Sequence, residues 1–211
     1  MQNYSIIINQ LFHDQYAVDK EGNIPLEHFF LAYFDCRKNK RNKADAVFFE
    51  MNYERELVKL HREVNSGKYM VSPLDVFISE KPVKREIFAA QFRDRIIHHL
   101  IINKLEHVFE KEFIYDTYSC RKGKGTHFGI ERLKEHIRKC TNNFSKDCYI
   151  LKMDIKGYFM SINREILLKK IEEVLEKDYH KADKERLLFL VKTVVENDST
   201  KNCKRKSSPS K

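Results

Sequence analysis

Tyr149-Ile150-Leu151-Lys152-Met153-Asp154-Ile155-Lys156-Gly157-Tyr158-Phe159 alternates apolar with polar side chains and then breaks at a glycine. The alternation predicts a strand with Leu151, Met153 and Ile155 on one face and Lys152 and Asp154 on the other. The apolar face would lie on helices, and Asp154 would stand at the strand end, pointing into a cleft. A carboxylate so placed is a hard-oxygen ligand suited to Mg²⁺, which binds through few carboxylates together with substrate phosphates. Gly157 would leave room for backbone or substrate to approach closely. The plainer alternative is a polar strand end beside a turn.

Helical periodicity surrounds this segment. Leu57, Leu60, His61 and Val64 recur at helical spacing, and Gly67 is placed to end that helix. Val76-Phe77-Ile78 and Glu86-Ile87-Phe88 predict a hairpin whose turn runs through Lys81-Pro82-Val83-Lys84, where Pro82 cannot donate to a ladder. From Asp94 to about Phe109, Ile97, Leu100, Ile101, Leu105 and Val108 share one helix face. Cys120-Arg121-Lys122-Gly123-Lys124-Gly125 reads as a loop, and Thr126 as the cap of a helix carrying Ile130, Leu133 and Ile137 inward. Asn163 reads as an N-cap, with Ile162 and Leu167 as a hydrophobic staple. Two further helices use Leu167, Ile171 and Val174, then Leu187, Leu190, Val191 and Val194. Residues 197–211 hold five basic side chains, one acid and no large apolar residue, a composition that predicts a disordered tail.

Lys+Arg exceeds Asp+Glu by 40 − 31, a net charge of +9, which suits a polyanionic partner. Arg37, Lys38, Lys40 and Arg41 form a dense basic run. Arg121, Lys122 and Lys124 sit among glycines before a helix N-terminus, which are ingredients for gripping phosphate, although the spacing is not that of a P-loop. Lys81, Lys84 and Arg85 flank the hairpin turn. For both groups the plain alternative is a solvated, charged loop. The five cysteines are scattered and form no C-x-x-C pair, so neither a structural zinc site nor a disulfide framework is signalled. No apolar run approaches membrane-spanning length. The expectation is a soluble, cytoplasmic protein that does not engage membranes.

Three blocks, taken in order, resemble the prokaryotic reverse transcriptases of group II intron, retron and diversity-generating retroelement type. Lys81-Pro82-Val83-Lys84-Arg85-Glu86-Ile87 with Phe92-Arg93-Asp94-Arg95-Ile96-Ile97-His98-His99-Leu100 is similar to their fingers motifs. Phe113-Ile114-Tyr115-Asp116-Thr117-Tyr118-Ser119-Cys120-Arg121-Lys122-Gly123 resembles the following "SYGFR" or "SYACR" block. Lys152-Met153-Asp154-Ile155-Lys156-Gly157-Tyr158-Phe159 looks like the palm motif with the first catalytic aspartate. Together they cover about residues 76–167.

The resemblance implies an α+β chain with a polymerase right-hand fold: helix-rich fingers and the first part of the palm. Residues 1–80 would be an N-terminal extension and the start of the fingers, 81–145 the fingers with the basic loop, 146–197 a partial palm, and 198–211 a disordered basic tail. It implies an RNA-directed DNA polymerase that adds dNTPs to a DNA primer on an RNA template, with two Mg²⁺ ions. Asp154 would be the catalytic metal ligand, and the Ile155 main-chain carbonyl a second donor. Lys81 and Arg85 would clamp the triphosphate. Phe159 would stand under the incoming sugar, with a plain core aromatic as the alternative. Arg37, Lys38, Lys40, Arg41, Arg93, Arg95, Arg121, Lys122 and Lys124 would meet nucleic acid.

The chain departs from this pattern in lacking the two-aspartate YxDD motif, the block that precedes it, and a thumb. One carboxylate does not easily hold two dications shared with a triphosphate. The expectation is therefore a fingers-and-partial-palm portion without activity alone. The competing expectation is a non-catalytic module that grips RNA or an RNA–DNA hybrid.

Overall fold

The computed structural model describes residues 22–38, 43–80 and 84–205. Helix α1 (Leu26–Arg37) buries Phe29, Phe30, Ala32, Tyr33 and Cys36. A short α2 (Ala44–Glu50) and α3 (Tyr53–Asn65) follow. The Tyr33 ring stacks on Tyr53 at 5.0 Å, and Phe49 packs beside Phe92 at 5.3 Å, so aromatics rather than aliphatics join these helices. In α3 the expected stripe Leu57, Leu60 and Val64 is buried. Gly67 ends the helix as anticipated, at φ +72°. Its N–H donates to the Val64 carbonyl at 3.0 Å and that of Lys68 to Glu63 at 2.8 Å, the paired bonds of a Schellman turn.

Strands β1 (Leu74–Ser79) and β2 (Arg85–Ala89) form the expected antiparallel hairpin, with Val76 opposite Phe88. A third strand was not expected. Residues Cys203–Arg205, inside the stretch read as a disordered tail, form β3 and pair parallel to β1, giving the order β2-β1-β3. The Leu74 N–H donates to the Asn202 carbonyl at 3.0 Å, and the Asn202 side-chain amide donates to the Val71 carbonyl at 3.0 Å. Strand addition uses main-chain groups, so a polar segment joins a sheet edge without an apolar side chain to announce it. Residues 206–211 lie outside the described part.

Helix α4 (Phe92–Glu112) buries Ile97, Leu100, Ile101, Leu105 and Val108, as its periodicity predicts. Asp94 opens it, fully buried, accepting from the Tyr69 hydroxyl at 2.8 Å and the Ser72 N–H at 3.1 Å. Burial first, and then the Asp94 charge, push the Tyr69 phenol up. Helices α7 (Arg164–Asp178) and α8 (Lys184–Glu196) follow later in the chain, α7 starting just after the expected cap Asn163. Leu187, Leu190 and Val191 of α8 are buried, whereas α7 buries Leu175 in place of the neighbouring Val174.

The chain divides into two units, one of Met1–Val108 with Arg164–Lys211, the other of Phe109–Asn163. The first is thus built from two distant stretches of sequence. Lys104 and Asp183, 5% and 6% exposed, form an ion pair inside it. The Tyr179 hydroxyl donates to the other Asp183 oxygen at 2.8 Å, and Lys104 Nζ lies 2.9 Å from His28 Nδ1. Burial favours a neutral Asp183, but the hydrogen bonds from Lys104 and Tyr179 outweigh it and hold its pKa below the usual range.

The second unit holds the end of α4, helix α5 (Thr126–Cys140) and the single turn α6 (Tyr158–Ser161). Gly125, not Thr126, occupies the N-cap of α5. No residue of α5 is buried, and the supposedly inward Ile130 and Leu133 are 47% and 48% exposed. The strand expected over 149–155 does not form: residues 147–155 carry no regular secondary structure. Alternation makes a strand only where a ladder partner exists, and among the described residues none pairs there. The architecture is α+β, with one small sheet. Among the described residues it lacks the palm strand that a right-hand fold would need.

Two measurements probe the first unit. Asp183→Ala strands Lys104 as a buried, unpaired charge and is expected to lower unfolding free energy by about 3–5 kcal/mol in urea titration. His28 accepts from Lys104, and burial first, then the Lys104 charge, lower its pKa despite Glu27 and Asp183. The unfolded chain therefore binds its proton first. Stability should be intact above pH 7 and fall as pH drops through about 6.5. Thermal melts should show a shallower loss in His28→Gln, with a residual slope from His98, which burial also lowers.

Candidate functional site

Asp154 lies in the second unit, exposed, in a segment without regular secondary structure. Among the described residues no hydrogen bond or ion pair engages its carboxylate. Ile155 beside it is 65% exposed. The backbone turns at Gly157, whose φ of +64° is left-handed, and a β-carbon there would meet nothing within 4 Å. The glycine is thus required by its dihedral angle rather than by close approach. Its carbonyl accepts the N–H groups of Met160 and Ser161 at 3.0 and 3.1 Å and so starts α6. Phe159 on that turn is 85% exposed, which removes the reading of it as a core aromatic.

The basic loop is strapped down rather than projecting. Arg121 donates to both oxygens of Glu110, from Nε at 2.9 Å and Nη2 at 2.7 Å, and its Nη1 reaches the Ile114 carbonyl at 2.9 Å. Its side chain is 7% exposed. Lys124 donates to the Tyr115 carbonyl at 2.7 Å and sits 3.9 Å from the centre of the Tyr115 ring. Two of the three expected phosphate-gripping cations are thereby committed to the fold. Lys122 is exposed.

Other expected contacts are committed in the same way. Arg37 pairs with Glu50 and Arg95 with Asp45, while Arg93 donates to Glu63 at 2.6 Å and lies over the Tyr69 ring. These pairs join α1 to α2, α4 to α2 and α4 to α3. Lys38, at the end of α1, and Arg85, on β2, are exposed and unpaired among the described residues. Lys40, Arg41 and Lys81 lie outside the described residues. Arg37, Lys38, Arg85, Arg93 and Arg95 belong to the first unit, and Asp154, Ile155, Phe159, Arg121, Lys122 and Lys124 to the second.

Two features escaped the sequence. Asp116 accepts from Arg132 Nε at 2.8 Å, the Tyr118 hydroxyl at 2.8 Å and His136 Nε2 at 3.0 Å. The Arg132 bond, followed by that from Tyr118, holds the Asp116 carboxyl well below the usual range. Gly129 faces the Tyr118 ring, where a β-carbon would come within 3.3 Å. A glycine within a helical pattern was the available signal of this close approach. In the first unit, a cleft of about 540 Å³ is lined by Asp45, Phe48, Arg55, Lys59, Glu63 and Arg93, with charges of both signs.

As oxygen donors, the Asp154 carboxylate and Ile155 carbonyl suit Mg²⁺ in kind. They do not suffice in number for two ions, and no group of three or more His, Cys, Asp or Glu side chains converges among the described residues. No helix among those residues is long and apolar enough to cross a membrane.

No protein-family model matches the chain. Over 118 residues it is 25% identical to Protein YkfC of Escherichia coli (strain K12). That stretch is 55% of this chain and 30% of YkfC, so the match spans under a third of that relative.

Arg121 separates a structural from a ligand-binding role. Arg121→Ala is expected to speed amide hydrogen exchange throughout 113–125 with no nucleic acid present. Unchanged exchange there would free Arg121 for contact with a ligand.

Proposed function

We propose that this chain is part of an RNA-directed DNA polymerase, with Asp154 as the metal-ligating carboxylate of the catalytic centre. One observation carries the reading: three blocks resembling reverse transcriptases, at 81–100, 113–123 and 152–159, occur in that family's order. The accessibility of Asp154, and of Phe159 five residues on, supports it. In this reading Asp154 and the Ile155 carbonyl supply part of the oxygen shell for Mg²⁺ arriving with a dNTP. When bound, the metal offsets charge on the attacking and leaving oxygens. Phe159 faces the sugar of that dNTP. The template is read by base pairing, so the protein needs backbone contacts rather than base-edge readers.

In this reading Arg37, Arg93, Arg95, Arg121 and Lys124, which hold the protein's own carboxylates or carbonyls, contribute little to backbone contact. A binding module without turnover is the second reading, favoured by the net charge of +9.

Primer extension on an RNA template with Mg²⁺ and dNTPs, using the full-length gene product, tests the assignment. Template-dependent incorporation is expected, falling about a hundredfold or more in Asp154→Ala. Incorporation that survives this substitution removes Asp154 from the site, and binding with no incorporation at all favours the module.

A further inference from the structure

Residues 149–155 carry the side-chain pattern of a strand and form none. In a strand, their alternation would set Leu151, Met153 and Ile155 on one face and Lys152 and Asp154 on the other. The three apolar residues are 79%, 80% and 65% exposed. Lys152 and Asp154 are exposed too, and neither has an ion pair among the described residues. Strand-forming side chains on a backbone without a ladder make a template for a strand supplied from elsewhere. The stretch has a fixed end, because Gly157, at φ +64°, turns the chain into α6.

The charges within the stretch select the occupant. When two copies of one strand pair antiparallel, a two-fold axis relates them, and each contact is made twice. Keeping apolar side chains opposite apolar ones requires that axis to pass through a residue, since a slip of one position exchanges the faces. An axis at Lys152 sets lysine against lysine, and an axis at Asp154 sets aspartate against aspartate. An axis at Leu151 leaves the two charges opposite Ile150 and Cys148, and one at Ile155 runs the pair into the turn at Gly157. An axis at Met153 places Lys152 of each copy opposite Asp154 of the other, with Leu151 opposite Ile155 on the apolar face. A parallel, in-register pair would stack like charges. A different strand would have to offer acid and base two positions apart in the matching order, which this chain already does.

We infer that residues 150–156 pair antiparallel with the same residues of a second copy of this chain, about a two-fold axis at Met153, with Lys152 and Asp154 as reciprocal cross-strand ion pairs. A two-stranded ribbon is marginally stable in water, so the association is reversible and depends on concentration. The inference goes beyond the polymerase reading. It needs no metal, nucleotide or nucleic acid, and it gives the Asp154 carboxylate a lysine as its partner.

Sedimentation equilibrium of the 211-residue chain, without Mg²⁺, dNTPs or nucleic acid, should show a monomer–dimer equilibrium as concentration rises. Amide hydrogen exchange over 150–156 should slow along the same concentration series. Lys152→Asp and Asp154→Lys each set like charges opposite one another twice, and each is expected to weaken the dimer about tenfold. Mixed in equal amounts, the two variants oppose acid with base again and should recover dimerisation as a one-to-one heterodimer. A monomer at every concentration, dimers or larger aggregates indifferent to both reversals, or a mixture no better than either variant alone overturns the inference. Both substituted side chains are exposed, and far-UV circular dichroism verifies that each variant is folded. Sedimentation without metal or nucleotide and primer extension are separate readouts, so this inference and the polymerase reading fail separately.

Discussion

A lysine and an aspartate 79 positions apart in sequence, both withdrawn from water, set the conditions for the first unit. Each of Lys104 and Asp183 is tolerable in the interior only because the other is there. Tyr179 satisfies the second aspartate oxygen and His28 a further lysine proton. The middle of α4, the entry to α8 and the start of α1 must therefore come together for any of them to be buried. The core is completed by a return of the chain after residue 163, so its two stretches depend on each other.

Positive charge is distributed differently from what its total suggests. A net +9 invites a picture of a broadly cationic surface. Yet Arg37, Arg93, Arg95, Arg121 and Arg132 each close a salt bridge within the protein. Arginine suits this because its planar fork engages both oxygens of a carboxylate, as Arg121 does with Glu110. Lys38, Arg85, Arg138 and Lys146 are exposed among the described residues.

The segment carrying Asp154 has the opposite problem. Tyr149, Leu151, Met153, Phe159 and Met160 are all more than two-thirds exposed. Apolar area on that scale is ordinarily covered in a working protein. The same backbone leaves its amides and carbonyls without a ladder.

Local pattern was enough for the elements whose cause is local. Leu57, Leu60 and Val64 make α3 amphipathic wherever the chain goes, Gly67 stops it by adopting a positive φ, and the runs at 76–78 and 86–88 lie close enough to pair as a hairpin. Events that join distant residues left no such mark. β3 adds to β1 through main-chain groups, so its side chains stayed those of a tail. Arg121 and Arg93 read as free cations until folding brought Glu110 and Glu63 to them. The alternation at 149–155 had every side chain a strand requires and still formed none. A strand exists only in the presence of another, and composition encodes the willingness to pair while the assembled chain supplies, or withholds, the partner.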